Sequence, residues 1–139
     1  MEIEQTLILV KPDGIQRGLI GEIISRYERK GLKLIGLKLL QFSRVKAEEL
    51  YAIHKGQPFY DRLIEFMISA PIVAFVVEGA NAIQLARIIN GATDPVESEP
   101  GSIRGDYSTN ITRNLVHASD CPENAKYEIP ILFSPEELC

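Results

Sequence analysis

Residues 6–42 read TLILVKPDGIQRGLIGEIISRYERKGLKLIGLKLLQF, and the spacing of their apolar residues changes twice. Thr6–Val10 is too short for a buried helix, and its β-branched content marks a strand. Leu19, Ile20, Ile23, Ile24 and Tyr27 then fall on one helical stripe, which Gly31 closes in the usual C-terminal position. Leu32–Phe42 returns to strand character. The stretch therefore predicts two strands joined by an amphipathic helix that covers a sheet.

Working outward, Ser43 can cap a helix with Ala47, Leu50 and Tyr51 on one side. Pro58 opens a second helix carrying Phe59, Leu63 and Phe66/Met67, which completes a helical hairpin. Ile72–Val77 reads as a third strand. Ala82, Ile83, Ala86 and Ile89 follow at helical spacing up to Asn90-Gly91, and Ile129–Phe133 reads as the fourth strand. The order β-α-β-α-α-β-α-β predicts an α+β protein: a ferredoxin-like α/β sandwich with a four-stranded antiparallel sheet and helices on one face. Its βαββαβ core would carry the extra hairpin and a long loop before the last strand. That loop, Gly91–Leu115, holds Pro95, Pro100, Gly101 and Gly105 without a sustained period, and irregular segments of this length are commonly functional.

Composition narrows the class of protein. The chain has 139 residues, 45% hydrophobic and 24% charged, with a net charge of -4. A chain of this size buries roughly 70% of its unfolded surface and needs no disulfide or metal staple. We read residues 1–139 as a single domain, without repeats or low-complexity linkers. No apolar run approaches a membrane span, and MEIEQTLILV lacks the basic start of a signal peptide, so the expected location is cytoplasmic. Cys121 and Cys139 have neither CxxC spacing nor accompanying histidines, which predicts free thiols. The acidic balance weighs against a general nucleic-acid binder. Residues 120–139 hold five acids and one base, so they carry the whole net charge and residues 1–119 balance at 14 against 14.

Neither GxxxxGK[ST] nor GxGxxG is present. What stands out is Val10-Lys11-Pro12-Asp13-Gly14 at the end of the first strand, HKGQPFY at residues 54–60, Gly91-Ala92-Thr93-Asp94-Pro95, Pro100-Gly101-Ser102-Ile103-Arg104-Gly105-Asp106, and Asn114-Leu115-Val116-His117-Ala118-Ser119-Asp120. Together, in this order and spacing, these blocks closely resemble the nucleoside diphosphate kinase family over about residues 5–135. The resemblance implies ping-pong transfer of a terminal phosphate from a nucleoside triphosphate, typically ATP, to a nucleoside diphosphate through a phosphohistidine. It also implies Mg²⁺ bound with the nucleotide and a homo-oligomer, a hexamer before a tetramer; because Mg²⁺ dehydrates reluctantly and rides on substrate phosphates, Asp13, Asp94, Asp106 and Asp120 are assigned no dedicated metal site.

Residue by residue, the likeness makes His117 the nucleophile. A neutral imidazole can offer one nitrogen's lone pair while the other donates a hydrogen bond. Glu128 would orient the ring, aided by Ser119, with Tyr51 packed beside it. Lys11, Arg87 and Arg104 match phosphate ligands, and Thr93 and Asn114 match contacts to phosphate and ribose hydroxyls. Phe59 and Ile111 match the two sides of the base slot, which Leu63 also lines. Stacking reads no hydrogen-bonding edge, so a broad base preference follows.

Taken singly, each of these residues has a plainer reading: His117 as a core or edge residue, the cations as surface charges, Phe59 as the first core residue of its helix, Glu128 as a solvated charge before a strand. His54 reads as a solvated turn residue, and Asp120 as a residue that holds the local backbone or caps Pro122–Tyr127. The chain departs from the family pattern at Ala118, usually Gly, and at Cys121, usually Ser; it also lacks Trp and a longer C-terminal extension. The competing reading is a ferredoxin-like ligand- or RNA-binding module without catalysis, but no RNA-binding aromatic run is present. A catalytically idle scaffold would be expected to lose some of Lys11, Arg87, Arg104, Asn114 and His117, and all five remain.

Overall fold

The computed structural model describes residues 2–139. Its sheet is formed by β1 (Ile3–Val10), β2 (Lys33–Leu40), β3 (Ile72–Ala80) and β4 (Val116–Ala118). The strands lie in the order β2-β3-β1-β4 and every neighbouring pair is antiparallel. β1 is central because its residues Thr6–Val10 are all fully buried, and an uninterrupted apolar run suits a strand covered on both faces.

Both faces are indeed covered, which corrects the expectation of helices on one face. One layer holds α2 (Ile20–Arg29), α5 (Ala82–Asn90) and the short α6 (Ile103–Tyr107), packed on Ile8, Val10, Phe75 and Val77. The opposite layer holds α3 (Arg44–Leu50), α4 (Tyr60–Ile68) and α7 (Pro122–Leu132), packed on Leu7, Leu9, Ala74 and Val76. Successive residues of a strand point to opposite faces, so Leu7 and Ile8 each need their own layer.

Local signals act as expected at most element ends. Gly31 adopts φ +94° behind α2, and Ser43 Oγ accepts from the Lys46 amide at the start of α3. Two boundaries differ. The second hairpin helix begins at Tyr60, so Phe59 is its cap rather than a core position, and a 3₁₀ turn at Ala52–His54 fills the bend. A further short helix, α1 (Pro12–Gln16), follows β1 directly and starts on Pro12.

The fourth strand is the main correction. Ile129–Phe133 is not a strand: residues up to Leu132 belong to α7, which contains Pro130. The last strand is instead the three-residue β4, whose pairing places Leu9 opposite His117. Ala125, Glu128, Ile129 and Leu132 are the buried positions of α7, a helical spacing interrupted by one charged residue.

Candidate active site

His117 sits in the middle of β4, at the C-terminal end of the central strand. Its Nε2 lies 2.9 Å from Glu128 Oε1, and Ser119 Oγ donates to the same oxygen at 2.9 Å. A carboxylate only accepts, so Nε2 carries the hydrogen and Nδ1 keeps its lone pair. Glu128 reaches the imidazole from α7, across the layer from the position that an isolated strand reading would give it. It is 7% exposed, so the pair is held in a largely dry setting.

The Tyr51 ring meets the imidazole edge-on, with centroids 5.6 Å apart. Its hydroxyl is buried without a hydrogen-bond partner, and burial pushes the phenol well above its usual range. His54 is not a solvated turn residue as expected. It is half-buried, stacked on Tyr51 with centroids 6.2 Å apart and tilted against Phe59 at 5.3 Å, and so links the hairpin aromatics to His117.

Cations surround the same strand end. Lys11 follows β1 and is buried, with Nζ donating to Asn114 Oδ1 at 2.8 Å. Burial, with the Arg104 charge adding to it, lowers the ammonium to about 8, while Asp13 opposes the shift. Arg104, buried on α6, donates to the carbonyls of Gly91 at 2.7 Å, Asn114 at 3.2 Å and Val116 at 2.6 Å. Those three bonds leave two of its five N–H donors for a ligand. Burial first, then the neighbouring Arg87 charge, lower its guanidinium to about 10.

Arg87, on α5, is more open and donates to Asp120 Oδ1 at 2.6 Å. Asp120 is therefore an ion-pair partner, and the residue at the cap of α7 is Cys121. Asn114 completes the ring by donating to the exposed Thr93 carbonyl at 3.0 Å. Phe59 and Ile111 are exposed, and Leu63 is half-buried against the core. Ile111 lies on the 108–114 loop, which Arg113 fastens to α4 by placing its guanidinium 5.4 Å from the Phe66 ring centroid.

One arrangement had no counterpart in the sequence reading. Leu115 is fully buried yet adopts φ +76°, a strained backbone for a branched residue. Its amide donates to Asp13 Oδ2 at 3.1 Å and its carbonyl accepts from the Lys11 amide at 2.8 Å. Gly14 makes the close approach possible, since a Cβ there would lie 2.7 Å from Val10 Cγ1 and 3.2 Å from the Leu115 oxygen. The KPDG block contained the signal, an acid and a glycine directly after a strand, but their partner is a hundred residues away. Ala118 is an extended strand residue, so the position does not demand glycine.

An imidazole with one nitrogen committed, the other free, and buried cations beside it equips a group-transfer enzyme that handles anions. A family model for nucleoside diphosphate kinase matches residues 4–138. A nucleoside diphosphate kinase from Staphylothermus marinus is 56% identical over 99% of this chain and 98% of its own. One from Archaeoglobus fulgidus is 51% identical over 98% and 90%. Among solved structures, the Aquifex aeolicus enzyme superposes with a TM-score of 0.96 at 43% identity, covering 99% of this chain and all of that one. The Halobacterium salinarum enzyme in complex with CDP gives 0.96 at 44% identity, covering 99% and 92%. The chain belongs to the nucleoside diphosphate kinase family.

Proposed function

We propose that this enzyme moves the terminal phosphate of a nucleoside triphosphate to a nucleoside diphosphate through a phosphohistidine on Nδ1 of His117. The observation that carries the reading is the Glu128–His117 bond, which occupies Nε2 and leaves Nδ1 as the nucleophile. In the first half, Nδ1 attacks the terminal phosphorus as the bond to the bridging oxygen breaks, and the nucleoside diphosphate leaves. In the second, a terminal oxygen of another diphosphate attacks the phosphohistidine and frees Nδ1. The imidazole gains positive character as the N–P bond forms, and Glu128 stabilises it through the Nε2 hydrogen.

Phosphoryl transfer needs positioning and charge more than covalent help. Lys11, Arg104 and Arg87 supply cations for the phosphate oxygens, and Tyr51, with its free hydroxyl, stands against the nucleophile. Thr93 and Asn114 serve the phosphate and ribose hydroxyls. Phe59, Ile111 and Leu63 form the base slot. CDP bound to the Halobacterium salinarum relative supports nucleotides as the partners of this chain.

Mg²⁺ would be carried by the nucleotide rather than held by this chain. Asp13, Asp120 and Glu128 each have one oxygen engaged, by the Leu115 amide, by Arg87, and by His117 and Ser119, while Asp13 Oδ1 is buried without a partner. Among the described residues, no three His, Cys, Asp or Glu side chains are grouped to hold a metal. Such a set would suit an ion carried by the nucleotide, which would neutralise charge on the triphosphate. A cytoplasmic location suits such pool-balancing work, and no helix among the described residues is long and apolar enough to cross a membrane. A homo-oligomer is supported by Leu37 and Leu39, exposed on the edge strand β2, and a hexamer is favoured on the family resemblance.

The reading is tested with γ-labelled ATP. The protein should acquire an acid-labile, base-stable label that any nucleoside diphosphate discharges, and His117→Asn should acquire none. Labelling that survives His117→Asn would overturn the mechanism.

A further inference from the structure

Arg104 has its side chain fixed by three carbonyls, but the backbone that carries it is a five-residue helix. An isolated helix of that length does not hold itself, because nucleation is unfavourable and too few hydrogen bonds follow. Ser102 Oγ caps α6 by accepting from the Gly105 amide at 3.0 Å, and Ile103 is buried beneath it. Neither contact fixes how the outer side of α6 sits against the rest of the molecule.

One guanidinium makes most of the bonds that do. Arg26, on α2, donates Nη1 to the Gly101 carbonyl at 2.9 Å, on the N-terminal side of Arg104. Its Nη2 pairs with Asp106 Oδ2 at 2.8 Å and reaches Tyr107 Oη at 3.4 Å, on the C-terminal side. Its Nε is held by Glu22 Oε2 at 2.9 Å, within its own helix. The Tyr107 hydroxyl donates to that same Glu22 oxygen at 3.2 Å, and the guanidinium lies 5.1 Å from the Tyr107 ring centroid. Asp106 closes the loop by accepting the Gly101 amide at 2.8 Å. Arg26 thus brackets Arg104 in sequence, with acceptors at positions 101, 106 and 107, and ties both sides to α2.

The planar fork explains why arginine suits this position. Four of its five donors are used by acceptors on α2, on α6 and in the turn before α6, a spread that a compact ammonium cannot reproduce at once. The side chain is only 18% exposed, so these bonds are poorly replaced by water. Arg17 adds a parallel tie, Nη1 to the Tyr107 carbonyl at 2.5 Å.

We propose that Arg26 is a positioning residue for phosphoryl transfer: it holds α6 on α2 and thereby aims Arg104 at the phosphate. It touches no reacting atom. The inference rests on the reading of Arg104 as a phosphate ligand, and a double-mutant cycle separates the two. In the full-length enzyme, Arg26→Ala should lower kcat/KM for the nucleotide about 10- to 100-fold, the range expected for a misplacement of about 1 Å remote from the chemistry. In an Arg104→Ala background the same change should cost less than about threefold, because the group being aimed is gone.

Equal losses in both backgrounds, or no loss with Arg104 intact, would overturn the inference while leaving Arg104's assignment standing. An unchanged kcat/KM in Arg104→Ala would overturn that assignment and this inference with it. If circular dichroism shows that Arg26→Ala does not fold, Tyr107→Phe replaces it in the cycle. That change deletes only the hydroxyl shared by Arg26 and Glu22. It should cost about 3- to 10-fold with Arg104 present and less than about 1.5-fold without it; equal costs would again overturn the inference.

Discussion

Lys11, Arg104 and Asn114 are almost wholly buried and hydrogen-bonded to one another's segments, whereas Phe59 is 38% exposed and Ile111 57%. The end of the site proposed to take phosphate is thus held together by tertiary contacts within the chain, and the end proposed to take the base is an open lip on two loops. Buried donors aimed at a developing charge need no reorganisation during reaction, which is where transition-state stabilisation is largest. An exposed ring offers a π-face and little else. The division suits the proposed reading, in which the phosphate is gripped and the base is only stacked.

If that contrast is right, the largest effect belongs to the buried end. Arg104→Ala should lower kcat/KM by about 10² to 10³, equivalent to roughly 3–4 kcal/mol of transition-state stabilisation. Steady-state kinetics with ATP and a fixed diphosphate would measure it. A loss of less than about fivefold would mean that the three carbonyl bonds of Arg104 are structural only.

Lys11 should reveal what such burial costs. Its folded value of about 8 lies below the ordinary 10.5, so the unfolded chain binds the extra proton more readily between those values. Stability contributed by this group therefore rises with pH from about 8 to 10.5, and the penalty is fully present at pH 7. Activity runs the other way, since the cation is lost above about pH 8. Lys11→Met should raise stability near pH 7 by about 1–3 kcal/mol, read by chemical denaturation, while removing activity. Destabilisation at pH 7 would show that the Asn114 bond outweighs the burial cost.

At the lip, Phe59→Ala should raise KM by a similar factor for all nucleoside diphosphates, corresponding to about 1–2 kcal/mol of lost stacking. A change confined to one base would show that the lip reads an edge, which breaks the contrast.

The same division shows in what the sequence made legible. The first two strands, the helix between them and the capping at Ser43 and Gly31 follow from local spacing and turn chemistry. The last strand does not. β4 has three residues with a histidine in the middle, too few to display alternation, and it is held by β1 rather than by its own propensity. Ile129–Phe133 imitates a strand because Pro130 discourages a helical reading, although α7 accommodates it. The blocks that hold the candidate site residues were legible in the sequence, but the contacts of Asp13, Asp120 and His54 were not, because each depends on a partner that only the fold supplies. Asp13 meets Leu115, Asp120 meets Arg87, and His54 lies against Tyr51 and Phe59.

Ala118 gives the smallest test, directly beside the nucleophile. Were the backbone at 118 left-handed, alanine would be strained and glycine would relieve it. The residue is instead an extended strand position, paired with Ile8 and nearly buried. Glycine there loses a packed methyl and adds freedom to the unfolded chain, so Ala118→Gly should cost about 0.5–1 kcal/mol in stability and leave kcat/KM within twofold. The strain in this stretch lies three residues earlier, at Leu115, where Asp13 and Lys11 hold the chain from both sides. A gain in stability on Ala118→Gly would move that strain next to His117 and weaken the picture of a preassembled buried end.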